Sequence, residues 1–253
     1  MVVRFAHVSK TYPRHHHTLG GLKAFLLHPP RTRRAFGRER FTALADVSFE
    51  IERGETVGVI GRNGSGKSTT LALIAGVLKP DAGSVEVRGH VSPLLALGAG
   101  FHAELTGREN IVLNGILLGL TRRDVMAQMD EIIAFSELEP FIDQPIRTYS
   151  TGMIARLGFS VVVHLDPELL LIDEILAVGD VHFQAKCREK IQEFQQQQVT
   201  IILVSHSTEE ILRLCTRVIW LEHGRLMGDG KPDEIVPGYE RMASMGLGGA
   251  QGG

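Results

Sequence analysis

Cysteine is nearly missing from this chain of 253 residues: Cys187 and Cys215 are the two that occur. Two isolated cysteines supply neither a disulfide framework nor the paired spacing of a metal site. They read as small buried hydrophobes in a reducing compartment. Long apolar runs are also lacking. Nothing approaches the ~20 residues needed to cross a bilayer, so any work at a membrane has to pass through a partner. A charge excess is lacking as well, and the net charge of −2 excludes a chain that binds nucleic acid through its overall charge. No secretory leader is expected, because Met1-Val2-Val3-Arg4-Phe5 runs straight into a strand pattern. What is there in quantity is apolar content, 43%, ample for one large domain or a core with a small subdomain.

The most informative stretch is Gly61-Arg62-Asn63-Gly64-Ser65-Gly66-Lys67-Ser68-Thr69. It matches G-x-x-x-x-G-K-[ST] at every fixed position. An apolar strand pattern, Glu55–Ile60, precedes it and a helical pattern, Thr70–Ala75, follows. Strand, glycine-rich turn and helix form the context that a phosphate cradle requires. The glycines let backbone N–H groups converge on one anion, and the helix N-terminus adds partial positive charge. Lys67 suits the β- and γ-phosphate oxygens, and the Ser68 hydroxyl is a hard ligand for Mg²⁺.

A nucleotide site needs more than a cradle. Glu168-Leu169-Leu170-Leu171-Ile172-Asp173-Glu174 reads as a buried strand ending in two carboxylates. At the C-terminal end of a parallel strand, Asp173 is placed to hold Mg²⁺ and Glu174 to take a proton from attacking water. A solvated acidic pair is the plainer alternative. Val199–Val204 reads as another buried strand, followed by Ser205-His206, and His206 is a candidate donor to the γ-phosphate.

Arg147-Thr148-Tyr149-Ser150-Thr151-Gly152-Met153 resembles the signature of the ATP-binding cassettes. With the cradle, the Asp173-Glu174 strand and His206 it looks like the nucleotide-binding subunit of an ABC transporter, across essentially the whole chain. The resemblance implies an α/β P-loop NTPase fold with a RecA-like core, an antiparallel β subdomain and an inserted α-helical subdomain. It implies ATP and Mg²⁺, and a head-to-tail homodimer on two copies of a separate transmembrane permease subunit. Ser150, Thr151, Gly152 and Met153 would then meet the ATP held by the partner's Lys67. Asp180 would cross the interface, although by itself it reads as a helix cap. Tyr12 stands where the family stacks an aromatic on adenine.

Two departures narrow the resemblance. The loop Leu94–Glu104 lacks the glutamine usual there, and the signature carries Thr151 for a glycine and Met153 for a glutamine. Leu97-Gly98-Ala99-Gly100-Phe101-His102, Glu104–Asn110 and Ile175–Asp180 resemble the cassettes that export lipid-linked polysaccharides, the O-antigen type above all. The implied place is the cytoplasmic face of a bacterial inner membrane, reached through the permease.

The expected cassette covers 1–238, with a helical subdomain at about 93–165 built from helices Asn110–Leu120, Arg122–Ser136 and Met153–His164. Thr106 and Glu109 have capping-box spacing. A flexible tail is expected over 239–253, with no carbohydrate-binding domain. Residues 13–41 form an insertion. Leu19, Leu22, Phe25 and Leu26 mark one face of a short helix, which Pro29-Pro30 stops. Arg31, Arg33, Arg34, Arg38 and Arg40 follow; a solvated loop and a site for phosphate or anionic lipid both fit such a run. The resemblance favours the second, with Leu22, Phe25, Arg31, Arg33 and Arg34 near the permease and the lipid-diphosphate end of the substrate. His15-His16-His17 cannot all face one ion from regular structure.

Other classes fit less well. A DNA-repair ATPase of this type carries a long coiled coil between the nucleotide motifs, and no heptad run occurs. Ribosome-acting types carry two cassettes. A GTPase switch needs Asn-Lys-x-Asp, which is absent. Export of teichoic acid, a lipid or a drug remains the nearest alternative.

Overall fold

The computed structural model describes residues 1–13, 40–94, 100–164, 167–173 and 179–247. Its centre follows from mostly apolar runs that are buried at nearly every position. Strands β3 (Thr56–Ile60), β6 (Leu169–Asp173) and β7 (Thr200–Val204) are such runs. They lie in one sheet with β5 (Val91–Leu94), β8 (Arg217–Glu222) and β9 (Arg225–Gly230), in the order β5-β6-β7-β3-β8-β9. All neighbours are parallel except the β8–β9 hairpin. A strand buried on both faces alternates between two cores rather than between core and water. Leu169 and Leu171 join Val57, Val59, Ile202 and Val204 on one face. Leu170 and Ile172 join Ile60, Ile201 and Leu203 on the other.

A second, antiparallel sheet has the order β2-β1-β4, from β1 (Val3–Pro13), β2 (Arg40–Ile51) and β4 (Ala82–Val87). The β1–β2 ladder runs from Val3↔Ile51 to Pro13↔Arg40, so both strands extend into the ends of the expected insertion. Its far end is pinned by Asp81. One Asp81 oxygen accepts from Thr11 N and Thr11 Oγ1, each at 2.8 Å, and the other from Lys10 Nζ at 3.0 Å. The two Thr11 bonds, then Lys10, lower the Asp81 carboxyl to about 2. A depressed carboxyl stabilises the fold above its unfolded value, and that contribution disappears as pH falls toward the folded value. The melting-temperature gap between wild type and Asp81→Asn should therefore shrink between pH 5 and pH 2. A gap that is constant over this range would contradict the assignment.

Helix α1 (Lys67–Ile74) follows β3. The helical subdomain holds α2 (Gly107–Leu117), α3 (Arg122–Ala127), α4 (Met129–Ser136) and α5 (Thr151–Val163). It buries its own cluster, including Ile111, Val125, Ile132, Leu157 and Val161. The Thr106/Glu109 capping box opens α2, and a second one at Thr121/Asp124 opens α3. The continuous helix expected over Arg122–Ser136 is broken at Gln128, whose φ is −104° and whose N–H bonds Val125 O. That i−3 bond tightens the last turn of α3 and re-aims the chain, and Val125, Met129 and Ile132 all reach the one cluster.

Helix α6 (Val181–Gln196), α7 (Thr208–Leu214) and α8 (Pro232–Leu247) complete the chain. Residues 239–247, expected as flexible tail, instead continue α8. Tyr239 meets Trp220 of β8 edge-on with centroids 6.0 Å apart, and Thr208 Oγ1 donates to Glu240 at 2.8 Å. Packing by Val236, Ile235 and Tyr239 against the sheet outweighs the glycine-rich composition that follows. Among the described residues, no helix is long and apolar enough to cross a membrane.

Candidate nucleotide site

The cradle forms because two glycines take backbone positions that other residues resist. Gly61 has φ 150°, and a Cβ there would lie 2.1 Å from Leu221 O. Gly66 has φ 109°, and its Cβ would lie 2.6 Å from Ala43 O. Side chains at such φ are strained wherever they point. The turn after β8 braces the loop, with Gly224 N on Ser65 O at 3.0 Å and Ala45 N on Gly224 O at 2.8 Å. Gly66 caps α1 without a side-chain bond, and the first turn carries no acidic residue. Nothing of the helix's own therefore competes for its leading N–H groups. Lys67 is buried, its Nζ donating to Gly61 O at 2.7 Å and Arg62 O at 3.1 Å.

Asn63, Gly64, Gly66, Lys67, Ser68, Thr69 and His206 share the walls of one cleft with Phe41 and Ala43. His206 arrives there on a pinned turn. Ser205 Oγ donates to Glu210 at 2.9 Å and accepts from Ser207 N at 3.0 Å, while Ser207 caps α7. Asp173, the last residue of β6, is in register with Val204 of β7, which pairs with Val59 of β3. Its carboxylate thus belongs to the same end of the sheet as the cradle and His206. Ser68 and Asp173 are both hard oxygen donors, a set that fits Mg²⁺.

Tyr12 lies at the rim. It is in register with Phe41, and its hydroxyl is 3.5 Å from Thr69 Oγ1. Phe41, 43% exposed, is an aromatic at the cleft that sequence reasoning missed. Only the strand register sets it beside Tyr12. Glu222 was missed too. It is buried at the end of β8, and with Arg62 and His223 it lines a neighbouring cleft that shares Asn63 and His206.

Ser150, Thr151, Gly152 and Met153 do not line the cleft. They open α5, with Ser150 as N-cap and its Oγ accepting from Met153 N at 3.2 Å. The first turn again lacks acidic residues, which gives a second helix N-terminus suited to an anion. Gly152 is not needed by its own chain, since the nearest atom to an added Cβ is Ser150 Oγ at 3.8 Å. Asp180 caps α6, accepting from Phe183 N at 2.9 Å, and this bond, with Arg156, lowers its carboxyl below the usual range. Glu174, Leu22, Phe25, Arg31, Arg33 and Arg34 lie outside the described residues.

Comparison with known proteins agrees with this geometry. The family profile described as ABC transporter matches residues 44–177. The O-antigen export system ATP-binding protein RfbB of Klebsiella pneumoniae is 50% identical over 240 residues, covering 95% of this chain and 98% of that protein. The teichoic acids export ATP-binding protein TagH of Lactococcus lactis is 50% identical over 202 residues, covering 80% of this chain and 43% of that one. Among solved structures, the ATP-binding cassette MJ0796, a dimer bound to ADP and Pi, superposes with a TM-score of 0.72 at 22% identity, over 91% of this chain and 98% of that one. A cradle at the end of a parallel strand, a second capped helix N-terminus on a helical subdomain and a family match over more than half its length converge: this chain belongs to the ABC transporter family.

Proposed function

We propose that this chain is the ATPase motor subunit of an exporter that moves a lipid-linked polysaccharide of the O-antigen type across the inner membrane. The observation that carries the ATPase reading is the cleft shared by Lys67, Ser68 and His206. The substrate class rests on similarity to an O-antigen export protein along nearly the full length of both chains. Teichoic acid export proteins matched over the same number of residues, 240, are less similar, at 41% and 42% identity, so that cargo ranks second.

In this reading the cradle N–H groups and Lys67 bind the β- and γ-phosphates, and Tyr12 with Phe41 offers an aromatic platform to the base. Ser68 and Asp173 would hold Mg²⁺, which when bound neutralises charge on the β- and γ-oxygens. Glu174 takes the proton of the attacking water. His206 donates to the γ-phosphate oxygens as negative charge spreads over them. The N-terminus of α5 from a second copy meets the same phosphate, so two ATP molecules are held between two head-to-tail subunits. That role explains a glycine at 152 which the single chain does not require. Closure of the pair pushes on two permease subunits, and release of phosphate reopens it.

Deleting the gene should remove polysaccharide from the cell surface while lipid-linked polymer accumulates inside. Replacing Arg31, Arg33 and Arg34 together by alanine should also cut export, in line with a site for the lipid-diphosphate end. Surface polysaccharide that persists at normal levels in the deletion strain would overturn the export assignment.

A further inference from the structure

The two segments expected to face a second copy, the start of α5 and Asp180, are far apart in sequence, yet one buried-edge cluster ties them together. Its centre is Arg156, in the second turn of α5, with a side chain only 17% exposed. Arg156 Nε donates to Ser136 O at 3.1 Å, and the guanidinium pairs with the Glu137 carboxylate. Its Nη1 lies 3.8 Å from Asp180 Oδ2, and its Cζ sits 4.9 Å from the centre of the Phe183 ring. Lys186, on α6, closes the cluster from the other side. Its Nζ donates to Phe135 O and to Glu137 Oε1, both at 2.9 Å, above the Phe135 ring. His182 Nε2 is 3.4 Å from the same Glu137 oxygen.

Glu137 therefore joins three elements: α4, which it terminates, α5 through Arg156, and α6 through Lys186. Its backbone is left-handed at φ 56°, a conformation costly for glutamate and kept where the surroundings determine it. Lys186, followed by Arg156, holds its carboxyl below the usual range, as expected of an anion between two cations. Phe135, Phe159 and Phe183 pack with centroids 5.8–6.1 Å apart beneath it. A charged cluster on an apolar floor is less screened than a surface pair. Sequence distance hides it, since its members span residues 135 to 186.

We infer that Arg156 and Glu137 are positioning residues that lock the start of α5 to Asp180, so that both are presented to a second copy as one rigid unit. The inference rests on the dimer reading above. Neither residue lines the phosphate cleft, so neither is needed for a single chain to bind ATP. Breaking the lock frees two surfaces that must otherwise engage together, and the cost falls on pairing rather than on nucleotide affinity.

The test uses the full chain with Glu174→Gln, and the same chain carrying in addition Arg156→Met, Arg156→Lys or Glu137→Gln. Sedimentation equilibrium with MgATP reads pairing, and nucleotide titration under monomeric conditions reads the cradle. Arg156→Met and Glu137→Gln should weaken pairing by about tenfold or more, with ATP affinity of the monomer within about twofold of the parent. Arg156→Lys, which keeps the charge but loses the fork, should fall between. Thermal melts of each variant identify loss by unfolding, and Glu137→Gln, close in shape, keeps the test valid if Arg156→Met melts early. Variants that pair like the parent would overturn the inference and leave the dimer reading intact. A parent that stays monomeric with MgATP would overturn both.

Discussion

Glu174→Gln should lower ATP turnover by about 100-fold or more and leave the chain as an ATP-bound pair. Glutamine keeps the shape and the hydrogen-bonding reach of glutamate but cannot accept a proton. The position follows Asp173 at the end of β6, in register with β7 and through it with β3. That end of the sheet carries Lys67 and His206 as well, where the proposed reading puts the γ-phosphate and needs a base for the attacking water. Phosphate release measured with the permease present gives the rate, and sedimentation with MgATP gives the paired fraction. Turnover close to that of wild type would remove Glu174 as the base.

Gly152→Asp is expected to separate stability from activity in sign. Residue 152 lies in the first turn of α5, where an added Cβ meets nothing closer than 3.8 Å. Aspartate near a helix N-terminus is favourable by ~0.3–1 kcal/mol, and any residue replacing glycine in a helix reduces the backbone entropy lost on folding. The melting temperature should stay level or rise. Turnover should nevertheless fall by about 100- to 1,000-fold, because the new carboxylate would stand where the proposed pairing brings the partner's γ-phosphate. Gly152→Ala separates charge from bulk and should keep more activity than the aspartate. Calorimetry together with phosphate release decides the matter, and an active Gly152→Asp protein would mean that this helix end meets no anion.

Much of this site could be read from the sequence, for reasons of range. The cradle, the capping box at Thr106 and the buried strands around Leu169–Asp173 and Thr200–Val204 each declare themselves within a few residues. Backbone geometry, capping and period are local properties. Asp180 as a helix cap belongs to the same class. What stayed hidden depends on residues brought together from afar. Phe41 beside Tyr12 needs the register of β1 on β2. The break at Gln128 and the extension of α8 through Tyr239 need the cores that Val125 and Tyr239 pack against. The Arg156–Glu137–Lys186 cluster needs α4, α5 and α6 in place. In each case tertiary packing outweighed a local preference.

The ladder between β1 and β2 closes on Pro13 and Arg40, which makes this stem a natural splice point. An exchange of the chain between these two residues leaves every paired position of the ladder in place, because the register ends at them. Tyr12 and Phe41 sit one step inside that stem's end, so the chain leaves the ladder at the rim of the cleft that Phe41 lines.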